Sequence, residues 1–88
     1  FTAADFTLSP NPAQSEVFID LKQLKGEQVT LQLQNQFGQV VRTQQVEQVT
    51  DFPEKMEVST IDNGLYFLQI QSKGRRTIGK KLMINRLY

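Results

Sequence analysis

The strict alternation of apolar and polar residues is the feature that most constrains what this chain can become. Across residues 28–35, Val29, Leu31 and Leu33 fall on one side of an extended backbone and Gln28, Thr30, Gln32 and Gln34 on the other. Successive side chains of a β-strand project to opposite faces, so this segment has one dry and one wet face. Residues 16–21 repeat the pattern with Val17, Ile19 and Leu21 inward, while Phe18 on the opposite face needs partial cover. No window of helical length keeps an i, i+3, i+4 apolar stripe, and the expected fold is therefore all-β.

Turn chemistry divides the rest. A short strand over residues 5–8 is ended by Ser9-Pro10-Asn11-Pro12, where two prolines fix φ and remove two amide donors. Leu24-Lys25-Gly26-Glu27 and Asn35-Gln36-Phe37-Gly38 are turn signals, the second joining the central strand to residues 39–47 as a hairpin. Val40 and Val41 are adjacent, so the register there is ambiguous and a bulge is expected to resolve it. After Asp51-Phe52-Pro53, residues 55–59 place Met56 and Val58 on one face, and Asp62-Asn63-Gly64 supplies residues that tolerate positive φ. Residues 65–72 put Tyr66, Leu68 and Ile70 inward, and Lys73-Gly74 turns the chain into a last strand over 75–86, with Gly79 a candidate bulge. Seven short strands with turns at regular spacing predict an antiparallel immunoglobulin-like β-sandwich.

The chain has 88 residues and 10.1 kDa, enough for one domain with one modest core. Hydrophobic residues make up 39 % and no apolar run approaches the ~20 residues of a spanning helix, so the chain is not expected to span a membrane. It opens at Phe1 without an initiator Met or a signal-peptide pattern, as a piece of a longer protein does. Cys and His are both absent, which removes disulfides, thiolate and imidazole metal ligands, the commonest general base and the thiol nucleophile. This composition argues against catalysis and implies no cofactor. The net charge of +1 is too small to imply nucleic acid. Its distribution is uneven, however: no acidic residue follows Asp62, whereas Lys73, Arg75, Arg76, Lys80, Lys81 and Arg86 all do.

Each candidate site has a plainer competing account. Glu54 and Glu57 fall on opposite faces of one strand, and Glu16 and Asp20 share a face with no evident cleft, so paired-carboxylate chemistry has no support. Asp62-Asn63-Gly64 has one carboxylate and no calcium-loop spacing, and reads as a turn. Trp is absent, and the outward rings Phe18, Phe37, Phe52 and Phe67 suit edge staples better than a sugar platform. The basic cluster of Arg75, Arg76, Lys80 and Lys81 lacks the interleaved aromatics that stack bases, and lysines on a terminal strand protect an edge from pairing with another chain.

Taken together, Ser9-Pro10-Asn11-Pro12, residues 34–41 (QNQFGQVV), residues 63–70 (NGLYFLQI) and residues 79–84 (GKKLMI) resemble the C-terminal sorting domain of the type IX secretion system of Bacteroidetes. The likeness covers nearly the whole chain, in the right order. It implies a seven-stranded immunoglobulin-like sandwich at the end of a longer secreted protein, with residues 1–88 forming one such domain. It also implies passage through the periplasm and outer membrane to the surface or medium. The implied partners are the outer-membrane translocon and a sortase-like peptidase that removes the domain.

By position, the family's glycine and aromatic pair fall on Gly64 and Tyr66 and its basic pair on Lys80 and Lys81, followed by Leu82 and Ile84. The resemblance thus makes Gly64, Tyr66, Lys80, Lys81, Leu82 and Ile84 the recognition residues. The middle motif departs from the family, which more often carries Leu-Gly-Arg/Lys where this chain has Phe37-Gly38-Gln39. A cationic terminal strand resists casual self-pairing, although its exposed edge leaves self-association between copies open, and the same edge with its charged rim suits a dedicated receptor by main-chain pairing and charge. The rival expectations are an immunoglobulin-like adhesive or spacer module and a carbohydrate-binding module.

Overall fold

Seven strands form where the alternation is strongest: β1 (Thr7–Ser9), β2 (Glu16–Asp20), β3 (Val29–Gln34), β4 (Val40–Val46), β5 (Glu54–Glu57), β6 (Gly64–Ser72) and β7 (Ile78–Ile84). The computed structural model describes residues 5–86, and the outermost residues of the expected 1–88 domain lie outside the described residues. No α-helix occurs among the described residues. The strands pair antiparallel in two open sheets, one ordered β1-β2-β5 and the other β4-β3-β6-β7, giving the expected all-β sandwich.

The inward sides of the two sheets form one core. Val17, Ile19 and Met56 from the smaller sheet face Val29, Leu31, Leu33, Leu68, Ile70, Leu82 and Ile84 from the larger, all essentially without solvent contact. Burying each such side chain contributes about 1.5–3 kcal/mol before chain entropy is subtracted. Phe6, also fully buried, closes one end beside Leu24, Ile70 and Ile78. A 3₁₀ turn at Lys22–Leu24 brings Leu24 there.

Local chemistry accounts for the connections. In the β3–β4 hairpin, Asn35 Oδ1 accepts from the amides of Phe37 (2.9 Å) and Gln39 (3.0 Å), while Asn35 Nδ2 donates to Gln39 Oε1 (2.8 Å). Gly38 follows at φ +80°, a backbone that side-chain-bearing residues rarely adopt. The expected bulge lies here: Leu33 pairs with Arg42 and Gln34 with Val40, leaving Val41 as the extra residue.

Two expectations for the last strand require correction. Gly79 is not a bulge, because the β6–β7 register runs without a break from Gly64–Ile84 to Ile70–Ile78. The strand also begins at Ile78, not at residue 75: Arg75 and Arg76 belong to the preceding turn, where the Arg75 amide donates to the Ser72 carbonyl at 3.0 Å. Charge in this segment marked the turn as well as the strand, and alternation alone could not separate them.

Candidate functional site

β7 is an edge strand, and pairing with β6 fixes the facing of each of its residues. Ile78, Lys80, Leu82 and Ile84 share the inward parity, while Gly79, Lys81 and Met83 face out. Leu82 lies opposite Tyr66 and Ile84 opposite Gly64, so four of the six expected recognition residues stand together as two cross-strand pairs. Leu82 and Ile84 are wholly buried and Tyr66 nearly so. A partner meeting the folded domain therefore cannot touch the Leu82 or Ile84 side chains.

Tyr66 is held by its hydroxyl, which donates to the Asp62 carbonyl at 2.7 Å and latches the turn onto the strand. Gly64 enters β6 at φ +159°, and a Cβ built there would meet the Tyr66 ring at 3.5 Å. The glycine and the aromatic residue are thus one packing unit at the start of the strand.

The expected cluster of cations is dispersed by the fold. Lys80 and Lys81 are neighbours on opposite faces. Lys80 is half-buried opposite Leu68 and Lys81 is exposed on the outer face opposite Phe67, and both border a shallow cleft with Thr7, Leu8 and Asn11. Arg75 is bound by Glu27 across the turn, with Nε to Oε1 at 3.0 Å and Nη2 to Oε2 at 2.9 Å. The same carboxylate accepts from Ser72 Oγ at 2.5 Å. The Arg75 guanidinium first, then the Ser72 hydroxyl, hold the Glu27 carboxyl below its usual range, and Glu27 in turn raises that of Arg75.

The edge of β7 is less open than its lysines suggest. Asn11 Nδ2 donates to the Lys81 carbonyl (3.2 Å) and Asn11 Oδ1 accepts from the Met83 amide (3.0 Å), so one side-chain amide imitates a neighbouring strand. The Ala13 amide then donates to the Met83 carbonyl (2.8 Å) and the Asn85 amide to the Ala13 carbonyl (2.9 Å), forming a parallel bridge between Ala13 and Ile84. From Lys81 to Asn85 this edge is paired, so the main-chain groups expected to be offered to a receptor are already taken there. Only the beginning of the strand, around Gly79, lies beyond this strap.

Beyond Ile84 the chain is fixed by groups that the sequence alone did not mark. Asn63 Oδ1 accepts from the Arg86 amide at 3.0 Å. The Arg86 guanidinium donates to the carbonyls of Gln14 (2.9 Å) and Val58 (3.1 Å) and also to that of Ile61. Arg86 therefore ties both flanking connections to the end of β7. Pro-Asn-Pro and Asp-Asn-Gly were legible as turns, but the pairing of Asn11 with β7 and of Asn63 with Arg86 just beyond it was not.

Among the described residues no group of three or more potential metal ligands gathers. Glu16 and Glu57 stand opposite each other on the outer face of the three-stranded sheet. Lys55 stands between them, at 3.9 Å from Glu16 and 3.4 Å from Glu57. Among the described residues no helix is long and apolar enough to cross a membrane.

A family model for the secretion system C-terminal sorting domain matches residues 7–85, which runs from the first residue of β1 to just past β7. The chain belongs to that family. Sorting domains of this kind are the C-terminal secretion signal of the type IX system and mark proteins for export through the outer membrane to the cell surface or beyond. As such a signal, the domain interacts with the type IX secretion machinery. Comparison with curated proteins and with solved structures finds no match to this chain. The segments that carried the resemblance lie where the last two strands are held in place: Asn11 on the edge of β7, Asn63 on Arg86, and Tyr66 over Gly64.

Proposed function

We propose that residues 1–88 act as one non-catalytic address label, recognised in folded form by the outer-membrane translocon of the type IX system and afterwards removed by a sortase-like peptidase. The single observation that carries this is the family match across residues 7–85, which takes in every strand of the sandwich. Absence of His and Cys leaves little chemistry for a catalytic role. The immunoglobulin-like character of the sandwich is supported by the Tyr66 latch, which resembles the tyrosine corner of those folds.

Within the expected site the six residues divide by task. Lys81, and the ammonium of Lys80 beyond its half-buried stem, supply contacts to the receptor. Gly64, Tyr66, Leu82 and Ile84 hold β6 and β7 in the shape that presents them. Fusion of residues 1–88 to a periplasmic reporter in a cell with a working type IX system tests the proposal. The intact fusion reaches the cell surface, and a version ending at Ser72 stays in the periplasm. A companion fusion carrying Lys80→Glu and Lys81→Glu keeps its fold but loses export; normal export of both altered fusions refutes the assignment.

A further inference from the structure

The outer face of the four-stranded sheet is split between two kinds of surface. Toward the Ser72 end it is neutral and self-satisfied, with Thr30 bonded to Gln45 (3.1 Å) and Gln71 to Gln32 (3.3 Å). Toward the β3–β4 hairpin it turns apolar. One row across all four strands reads Val40, Gln34, Phe67, Lys81, and the next pairs Leu65 with Met83. Phe37, at the hairpin tip, adjoins that row across a shallow cleft that it lines with Leu65.

These residues are open to solvent to an unusual degree. Phe37 is 87 % exposed, Val40 49 % and Met83 40 %, while Leu65 and Phe67 are half-buried between them. Apolar side chains gathered in this way mark an interaction surface more often than scattered ones do. Nothing in the strand pairing requires them: Gln32 and Gln69 fill the equivalent outward positions one row away.

The electrostatics indicate the occupant. β3, β4, β6 and β7 contain no carboxylate, and their charged residues are Arg42, Lys80 and Lys81. The opposite sheet carries Glu16, Asp20, Glu54 and Glu57 against Lys55 alone. The sandwich is therefore polarised, with Phe37, Val40 and Met83 exposed on the cationic side around Lys81, against Phe18 on the acidic sheet and Phe52 in the connection leading to β5. A second copy fits poorly, because the outer carboxylates Glu16 and Glu57 already share Lys55 and offer only Phe18 as an apolar anchor.

We infer that Phe37, Val40, Leu65, Phe67 and Met83, with Lys81, dock an apolar protein surface rimmed by carboxylates on the secretion machinery. This deepens the sorting role and rests on it. Apolar anchors supply affinity, and the carboxylates of the partner select Lys81 and exclude the acidic face of the domain.

The reporter fusion separates this inference from the sorting role itself. Phe37→Ser with Met83→Thr, and separately Lys81→Glu, each lower surface delivery by about tenfold or more, and Lys81→Arg restores it. Circular dichroism and thermal melting show both altered domains folded. Phe37→Gln alone, at an exposed hairpin tip, gives a smaller loss and guards against misfolding. If the unaltered fusion is delivered and all these variants match it, the docking surface is wrong and the sorting role stands. If the unaltered fusion is not delivered, both fall. A dimer seen by sedimentation velocity that Phe37→Ser with Met83→Thr dissociates also overturns the inference, since the surface then binds its own kind.

Discussion

The two edges of the four-stranded sheet are guarded by opposite means. β4 is shielded locally: Val41 bulges out of register, Arg42 Nη2 reaches Thr60 Oγ1 (2.9 Å), and Gln44 Nε2 donates to the Lys55 carbonyl (2.9 Å) and to Glu54 Oε1 (3.1 Å). Side chains of the edge strand itself thus close its flank against β5. β7 is shielded from a distance, by Asn11 and Ala13 along its edge and by Arg86 beyond its end. The lysines of β7 are only part of its protection. An edge closed by partners 10 to 18 residues along the chain depends on its neighbours, whereas one closed by a segment 70 residues away reports on the state of the whole fold.

The two edges also differ in how far their side chains are buried. Leu82→Ala removes a wholly buried side chain and costs about 2–5 kcal/mol, read as a fall in the urea midpoint. Val40→Thr on the opposite edge, at an exposed position, changes stability by less than about 0.5 kcal/mol. Equal losses would show that the edges are equivalent.

Arg86→Ala, next in size, costs about 2 kcal/mol because three carbonyls lose a charged donor. Arg86→Lys recovers little of this, since one ammonium cannot reproduce the fork of the guanidinium. Full recovery by lysine in thermal melts would reduce Arg86 to a point charge.

Asn11→Ala opens the edge of β7 and costs about 1 kcal/mol. It also raises the sedimentation coefficient at high concentration, as newly bared backbone pairs between molecules. Gln44→Ala, the matching change at β4, leaves the domain monomeric because the bulge at Val41 remains. A monomeric Asn11 variant would mean that the lysines suffice.

The smallest effect is pH-dependent. The carboxyl of Glu27 titrates lower in the folded chain than in the unfolded one, so its stabilisation is present above its ordinary value of 4.5 and is lost as pH falls through the lower, folded value. Glu27→Gln removes this dependence, and melting temperatures of the two proteins converge in acid. Curves that stay parallel from neutral pH into acid would show that the Glu27–Arg75 pair stabilises nothing.

How much of this was legible follows from range. Val29, Leu31 and Leu33 revealed both the strand and its buried face because a two-residue period is local. The Val40–Val41 doublet revealed a bulge for the same reason. The start of β7 was misplaced because Arg75 and Arg76 suit a turn and an edge strand equally, and the deciding contact, Glu27, lies 48 residues away. Asn11 was legible as a turn residue only, since its partners Lys81 and Met83 stand 70 and 72 residues distant. Of the expected recognition residues, the sequence did not separate Lys81, which is exposed on the outer face, from Lys80, which is half-buried at the inward parity, because alternation assigns faces only once the register of a strand is known.

The parallel bridge between Ala13 and Ile84 has a mechanical consequence. Tension applied upstream of Ser9 and resisted downstream of Arg86 pulls these two segments in opposite directions along their length. Their hydrogen bonds then bear the load together in shear, not one after another as in a zipper. A tug on whatever precedes the domain passes through β1, paired with β2, and is then carried by the strand that holds Lys81.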